Sequence, residues 1–542
     1  MSALIPAPAR REPMPGACPV ARRWEIRTTE PALDATADVL RDLLAPHLAA
    51  VGAAAGSPGT APGAIELTLG KVAALPAPLG VCPLDGEPVA ADPADGTAPA
   101  GGPADEAYRL TVAPDALTCR ARTPRGVFRA AVSALHLLAT APLDGVLECG
   151  HIDDAPRYAW RGLMLDPARA FIALDDVLRL IDVAALYKLN VVHLHLTDHQ
   201  GWRLEIPGLP ALTADPGHPS YTAREYRHLQ EYAAARHITV VPEIGVPGHC
   251  GAALRACPGL GTLPRPAALG AGFPYVPPLD AYDPASRAFI TDVLTETARL
   301  TDGPFVHFGG DEALGASGDD FDEAIRLARS VLREAGKRPL GWQEAARAGM
   351  GPGDIGQFWV DPEMQDLPRN QEELNERPEL LAAGFTPALV AAMRRFFAPT
   401  ADDLGRIVAG GGRVLLSPQS HLYLDRPYAS GVIPAEQAGR AARLGFTYRP
   451  RGVRYGAAWD PAALGLEPEH IAGVEATLFG ESLHGLDDLT LMLLPRLAGV
   501  AEAAWTGAAP EWDTYRERLA RQAGWWRERG LSALLSTEID WR

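Results

Sequence analysis

At 542 residues the chain is longer than one hydrophobic core usually organises, so more than one domain is expected. Its apolar fraction of 47% and charged fraction of 22% are those of a globular protein, and a net charge of −17 disfavours nucleic acid and anionic membranes as partners. The six cysteines include no Cys-x-x-Cys pair, which argues against a structural zinc, and no run of about 18 apolar residues offers a membrane span.

Residues 1–22, rich in proline and arginine, read as a disordered leader without the apolar centre of a signal peptide, so a cytoplasmic location is expected. Residues 23–156 read as a small α+β domain. Ala64–Leu69, Ala107–Val112 and Leu117–Ala121 alternate as strands, and Val127–Ala139 is amphipathic. The Gly/Pro-rich stretch Ala90–Asp105 reads as a loop, and nothing in this domain suggests chemistry. Cys250 and Cys257 are spaced for a possible disulfide but read better as free thiols.

From residue 157 to 509 short apolar strands alternate with helical segments. The expected strands are Gly162–Asp166, Asn190–Asp198, Ile238–Gly245, Phe305–Glu312, Pro339–Glu344, Asp354–Trp359, Arg413–Ser417 and Gly473–Glu481. Eight β-then-α units imply a (β/α)8 TIM barrel with its site at the C-terminal strand ends. An open doubly wound sheet is the alternative, but Asp166-Pro-Ala-Arg169 stands where its glycine-rich turn belongs. Two long connections, 361–411 and 424–471, read as binding loops or lids on the substrate side. Residues 510–542 read as a helical tail packed on the barrel through its tryptophans.

The strand ends carry Asp166 and Arg169, Asp198, Glu243 and His249, Asp311 and Glu312, Trp342 and Glu344, Trp359, Tyr423 and Asp425, and Phe479 and Glu481. Carboxylates and aromatics on one rim suit a sugar, whose C–H faces stack on rings while its hydroxyls meet charged groups. In Gly309-Gly-Asp311-Glu312 a glycine bend can turn both carboxyls toward one opening. The plainer alternative is that Asp311 caps the following helix.

Several motifs together resemble glycoside hydrolase family 20, the β-N-acetylhexosaminidases: Trp160-Arg-Gly-Leu-Met-Leu-Asp166 with Arg169, His193-Leu-His-Leu-Thr-Asp198, Pro242-Glu-Ile with Pro247-Gly-His249, and Gly309-Gly-Asp-Glu312 with Gly341-Trp342. The resemblance runs from about Tyr158 to Trp505. It implies a retaining hydrolase that uses the substrate's acetamido group as nucleophile and needs no cofactor or metal. Its implied partner is an oligosaccharide ending in N-acetylhexosamine. By the same resemblance Glu312 is the general acid and base, Asp311 orients the acetamido nitrogen, and Asp198 and His249 form a relay behind Glu312. Arg169 and Glu481 would hold ring hydroxyls, Tyr423 with Asp425 close by would meet the acetamido carbonyl, and Trp342 and Trp359 would wall the N-acetyl pocket. Two positions depart from the family pattern: Phe479 stands where a third tryptophan is usual, and Gly245 where an acidic residue is common.

Two rival functions stay in view. His193 and His195 share one face of a strand and could grip a metal in an amidohydrolase-type barrel. A non-catalytic sugar-binding barrel is the other.

Overall fold

The computed structural model describes residues 3–54, 62–89, 102, 104–142, 144–266, 275–382 and 384–542, so most of the Ala90–Asp105 stretch lies outside the described residues. Six strands form the N-terminal sheet: β1 (Arg10–Pro19), β2 (Trp24–Arg27), β3 (Gly63–Leu69), β4 (Tyr108–Val112), β5 (Ala116–Ala121) and β6 (Val146–Asp154). Their order is β1-β6-β4-β5-β3-β2. The helix Pro124–Ala139 covers the sheet, its first turn capped by Thr123, whose hydroxyl accepts from the Gly126 N–H.

The leader expected to be disordered is instead part of this domain. Arg10 to Pro19 pairs antiparallel with β6, with a register break between Pro13 and Ala17. Prolines cannot donate to a ladder but are accepted at a sheet edge or a bulge, and β1 provides both. Leu4 and Ile5 are each 1% exposed, which gives this stretch an apolar anchor that its composition hid.

Eight parallel strands close the expected barrel: β7 (Trp160–Leu165), β8 (Val191–His195), β9 (Thr239–Val246), β10 (Phe305–Gly309), β11 (Arg338–Trp342), β12 (Ile355–Phe358), β13 (Arg413–Leu416) and β14 (Ile471–Leu478). Most of the strands are slightly shorter than the sequence suggests, so most of the rim residues sit just beyond them. The base is dry: Trp160, Val191, Val241, Phe305, Leu340, Ile355 and Leu415 form one cluster closed by Val81 of the N-terminal domain. Above it lies a buried polar layer of His193, Glu243, His307, Gln357 and Glu475.

Buried charges join the two domains. Glu106 accepts from Arg129 and Arg161 at 2.7 and 2.6 Å. Burial works against its ionisation, but the two guanidinium groups outweigh it and draw its carboxyl down to about 2. Asp154 likewise accepts from the Trp505 indole at 3.0 Å and from Lys188 at 3.1 Å. The tail forms two short helices, Trp512–Leu519 and Ala523–Glu528. Trp526 donates to the Tyr187 hydroxyl at 2.9 Å, and Trp525 packs 4.9 Å from His136, so the tail seals the joint between the domains as well as the barrel's flank.

The long connection 361–411 is not a loop. It contains the helices Pro362–Gln365, Gln371–Asn375, Pro378–Ala382, Pro387–Phe397 and Asp403–Ala409. Leu367, Leu374, Leu380, Val390 and Phe397 pack with Trp342, Trp359 and Tyr423 in one apolar cluster, so this segment is a helical cover anchored on the rim. Its apolar residues need a partner surface, and the rim tryptophans supply one. The second connection, 424–471, also carries short helices, including Ala435–Ala441 and Val453–Ala457. All six cysteines are free. No helix among the described residues is long and apolar enough to cross a membrane.

Candidate functional site

The chain after β10 turns sharply. Gly309 and Gly310 have φ of 75° and 88°, and a Cβ on Gly309 would stand 2.9 Å from Gly245 Cα. The small residue at 245 thus admits this close approach of β9 and β10. Glu312 itself has φ of 43°, a left-handed conformation that costs a non-glycine residue about 1 kcal/mol or more. The turn leaves its side chain 38% exposed and that of Asp311 19% exposed. Asp311 caps no helix: the next one, Gly318–Glu334, is capped by Ser317.

His249 stands behind this pair, with Nε2 3.4 Å from Asp311 and 3.5 Å from Glu312. Its Nδ1 faces Asp198 at 3.0 Å. Burial opposes charge on the ring, but Asp198 and then Asp311 outweigh it, so His249 holds its proton well above the ordinary histidine range. Asp198 is also buried, yet His249 and Arg169 hold it well below the usual carboxylate range. Arg169 reaches Asp166 at 3.0 Å, Asp198 at 2.9 Å and Glu481 at 3.1 Å, and stacks 4.8 Å above Phe479. His195 completes this side by facing Asp166 at 2.9 Å.

Across the opening the wall is aromatic. Trp342 and Trp359 meet edge to face at 6.4 Å, Trp359 lies parallel to Tyr423 at 6.2 Å, and Tyr423 packs 5.1 Å from Phe479. Each indole N–H is bound: Trp342 to Glu243 at 2.8 Å and Trp359 to Glu344 at 3.0 Å. Asp425 is 2% exposed, and neither of its carboxyl oxygens finds a hydrogen-bond partner among the described residues. Burial and neighbouring Glu481 raise its carboxyl to about 8.

All eleven residues expected at the site therefore surround one opening on the barrel rim. Sequence reading missed others. Tyr448, from the second long connection, packs 6.1 Å from Tyr423, and no periodic pattern marks it. Asp166, Glu243 and Glu344 were visible at strand ends, but nothing there signalled which partner each would hold.

His193, Glu243 and His307 are spaced so that they could share a metal ion. The residues do not fit that use. His193 lies 2.8 Å from Glu475 through Nδ1 and 3.1 Å from Glu243 through Nε2. Burial opposes its charge, but the two carboxylates outweigh it and raise it to about 9. His193, one of the two histidines of the amidohydrolase alternative, thus faces a carboxylate through each ring nitrogen.

An acid pair at the mouth of an aromatic-walled pocket, on the C-terminal rim of a (β/α)8 barrel, defines a glycoside hydrolase. The catalytic-domain model of glycosyl hydrolase family 20 matches residues 158–322 and 393–508, and the domain 2 model of that family matches residues 1–155. The chain is 36% identical over 452 residues to a β-N-acetylhexosaminidase of Cellulomonas fimi, covering 81% of this chain and 82% of that one. It is 29% identical over 456 residues to a β-hexosaminidase of Akkermansia muciniphila, covering 77% and 82%. Among solved structures, the GH20 β-N-acetylhexosaminidase of Streptomyces coelicolor A3(2) superposes with a TM-score of 0.76 at 30% identity, covering 100% of this chain and 99% of that one. A mutant Streptomyces plicatus β-hexosaminidase in complex with product (GlcNAc) gives 0.74 at 30% identity, covering 100% and 98%. The chain belongs to glycoside hydrolase family 20. The unmatched stretch, residues 323–392, includes most of the helical cover.

Proposed function

We infer that the protein is a β-N-acetylhexosaminidase that removes terminal β-linked N-acetylhexosamine with retention of configuration. The observation that carries this reading is the pairing of Asp311 and Glu312 around His249, opposite a wall of Trp342, Trp359 and Tyr423. Flat rings suit a planar acetamido group, and the carboxyl pair suits the two jobs its participation requires.

In the first step Glu312 gives its proton to the glycosidic oxygen while the acetamido carbonyl oxygen attacks C1. The C1–O bond breaks, the alcohol leaves, and an oxazolinium ion forms. Asp311 accepts a hydrogen bond from the acetamido N–H and balances the developing positive charge. In the second step Glu312, now a carboxylate, takes a proton from water as its oxygen attacks C1, and the acetamido group is released. His249, held by Asp198, steadies both carboxyls. Tyr423 donates to the acetamido carbonyl.

Arg169 meets ring hydroxyls with a guanidinium already fixed by three carboxylates. Glu481 takes the hydroxyls on the far side of the ring, with the buried Asp425 beside it. A panel of aryl β-glycosides tests the reading, with and without the 2-acetamido group and in both C4 configurations. Turnover is expected for the acetamido sugars, and hydrolysis of the plain glucoside and galactoside at comparable rates overturns it.

A further inference from the structure

Trp359 is held from one direction by two consecutive residues. Gln343 and Glu344 open the short 3-10 helix Gln343–Ala348 directly after β11. The side-chain oxygen of Gln343 accepts from the backbone N–H groups of Trp359 and Val360 at 2.8 and 2.9 Å. Glu344 accepts from the Trp359 indole at 3.0 Å. Both are completely or almost completely buried, at 0% and 1% exposed. Phe397 of the helical cover meets the same indole edge-on at 5.8 Å. The ring that walls the acetamido pocket is therefore fixed along its backbone, at its polar atom and on its edge.

We propose that Glu344 is a positioning residue that sets the N-acyl size the enzyme accepts, by pinning the Trp359 indole through its N–H. The proposal rests on the acetamido pocket assigned above. Its logic is steric: a wall bound at one polar point cannot tilt to admit another methylene, whereas a wall held by apolar contacts alone can.

The second oxygen of Glu344 has no hydrogen-bond partner among the described residues. Burial, and then the nearby Asp311, raise its carboxyl to about 8. Near neutral pH it is thus mostly an uncharged acid. It can accept from the indole without placing a second negative charge beside Asp311. Glu243 holds Trp342 in the same manner but as a carboxylate, since the histidines around it outweigh its burial.

The test compares kcat/KM for aryl N-acetyl- and N-propionyl-β-glucosaminides. The wild type should favour the acetyl substrate by about tenfold or more, the usual worth of one methylene in a tight pocket. In Glu344→Leu, which leaves the indole N–H without an acceptor, that ratio should fall several-fold toward parity. Glu344→Gln, whose amide oxygen can still accept, should keep the wild-type ratio. Trp359→Phe should shift the ratio in the same direction as Glu344→Leu, and the double variant should shift it little further, because both remove one bond. An unchanged ratio in Glu344→Leu, an equal slowing of both substrates, or additive shifts in the double variant would each overturn the proposal. If Glu344→Leu fails to fold, Glu344→Ala, which also leaves the indole N–H without a side-chain acceptor, takes its place. A wild type that does not hydrolyse acetamido sugars contradicts the assigned function instead.

Discussion

The two sides of the opening are built on opposite rules. On the proton-transfer side, Arg169, Asp198, His249, Asp166 and His195 already face one another at 2.9 to 3.0 Å. On the sugar-binding side, Glu344 has one oxygen and Asp425 both oxygens without partners. Groups whose charge must be in place before substrate arrives are fixed by ion pairs, and breaking such a buried pair is expensive. On the sugar-binding side burial and neighbouring carboxylates outweigh ion pairing, so Glu344 and Asp425 are held as raised carboxyls.

Removing the proton carrier should test the first rule most severely. Glu312→Gln is expected to lower kcat on an aryl N-acetyl-β-glucosaminide by about 10³- to 10⁴-fold with little change in KM, since only the transition state uses the proton. Steady-state rates against wild type check it, and near-wild-type turnover removes Glu312 from its role.

A smaller effect is expected one step back. Asp198→Asn removes the largest charge that keeps His249 protonated, so the ring should lose its proton at lower pH. The expected result is about a 10- to 100-fold fall in kcat, with the alkaline limb of the pH–rate profile moved to lower pH. If the limb stays in place while the rate falls, Asp198 supports the site only mechanically.

The same contrast explains what could be read from the sequence. Short apolar runs mark the eight barrel strands, because a parallel strand buried on both faces must be apolar. Residues at their ends are visible for the same reason, hence Asp198, Asp311 and Trp342. Their partners are harder to see. Nothing local to Glu344 says that it meets an indole fifteen residues further on. Tyr448 arrives from a connection with no periodic signal. The prolines of Arg10–Pro19 imitate a disordered leader, although an edge strand with a bulge accommodates them. The cover hides its helices because they are short, and their apolar residues make sense only against the rim.

The open side makes the last and smallest prediction, one of stability. Burial first, and then a neighbouring carboxylate, raise Glu344 from 4.5 and Asp425 from 3.8, each to about 8. A raised carboxyl is neutral in the fold over a range where the unfolded chain is ionised, so folding must take up a proton. Its contribution is fully present below about pH 4 and is lost as pH rises toward 8, above which it no longer changes. The ligand-free wild type should therefore melt lower at pH 8 than at pH 5 through these two groups. Glu344→Gln and Asp425→Asn, which cannot ionise, should each shrink that difference by on the order of a few °C. Thermal unfolding at the two pH values measures it. On the closed side Asp198 lies below its usual range, so its own contribution is lost only on acidification below the pH 5 end of this comparison. If neither Glu344→Gln nor Asp425→Asn narrowed the difference between pH 5 and pH 8, the open side would not carry raised carboxyls.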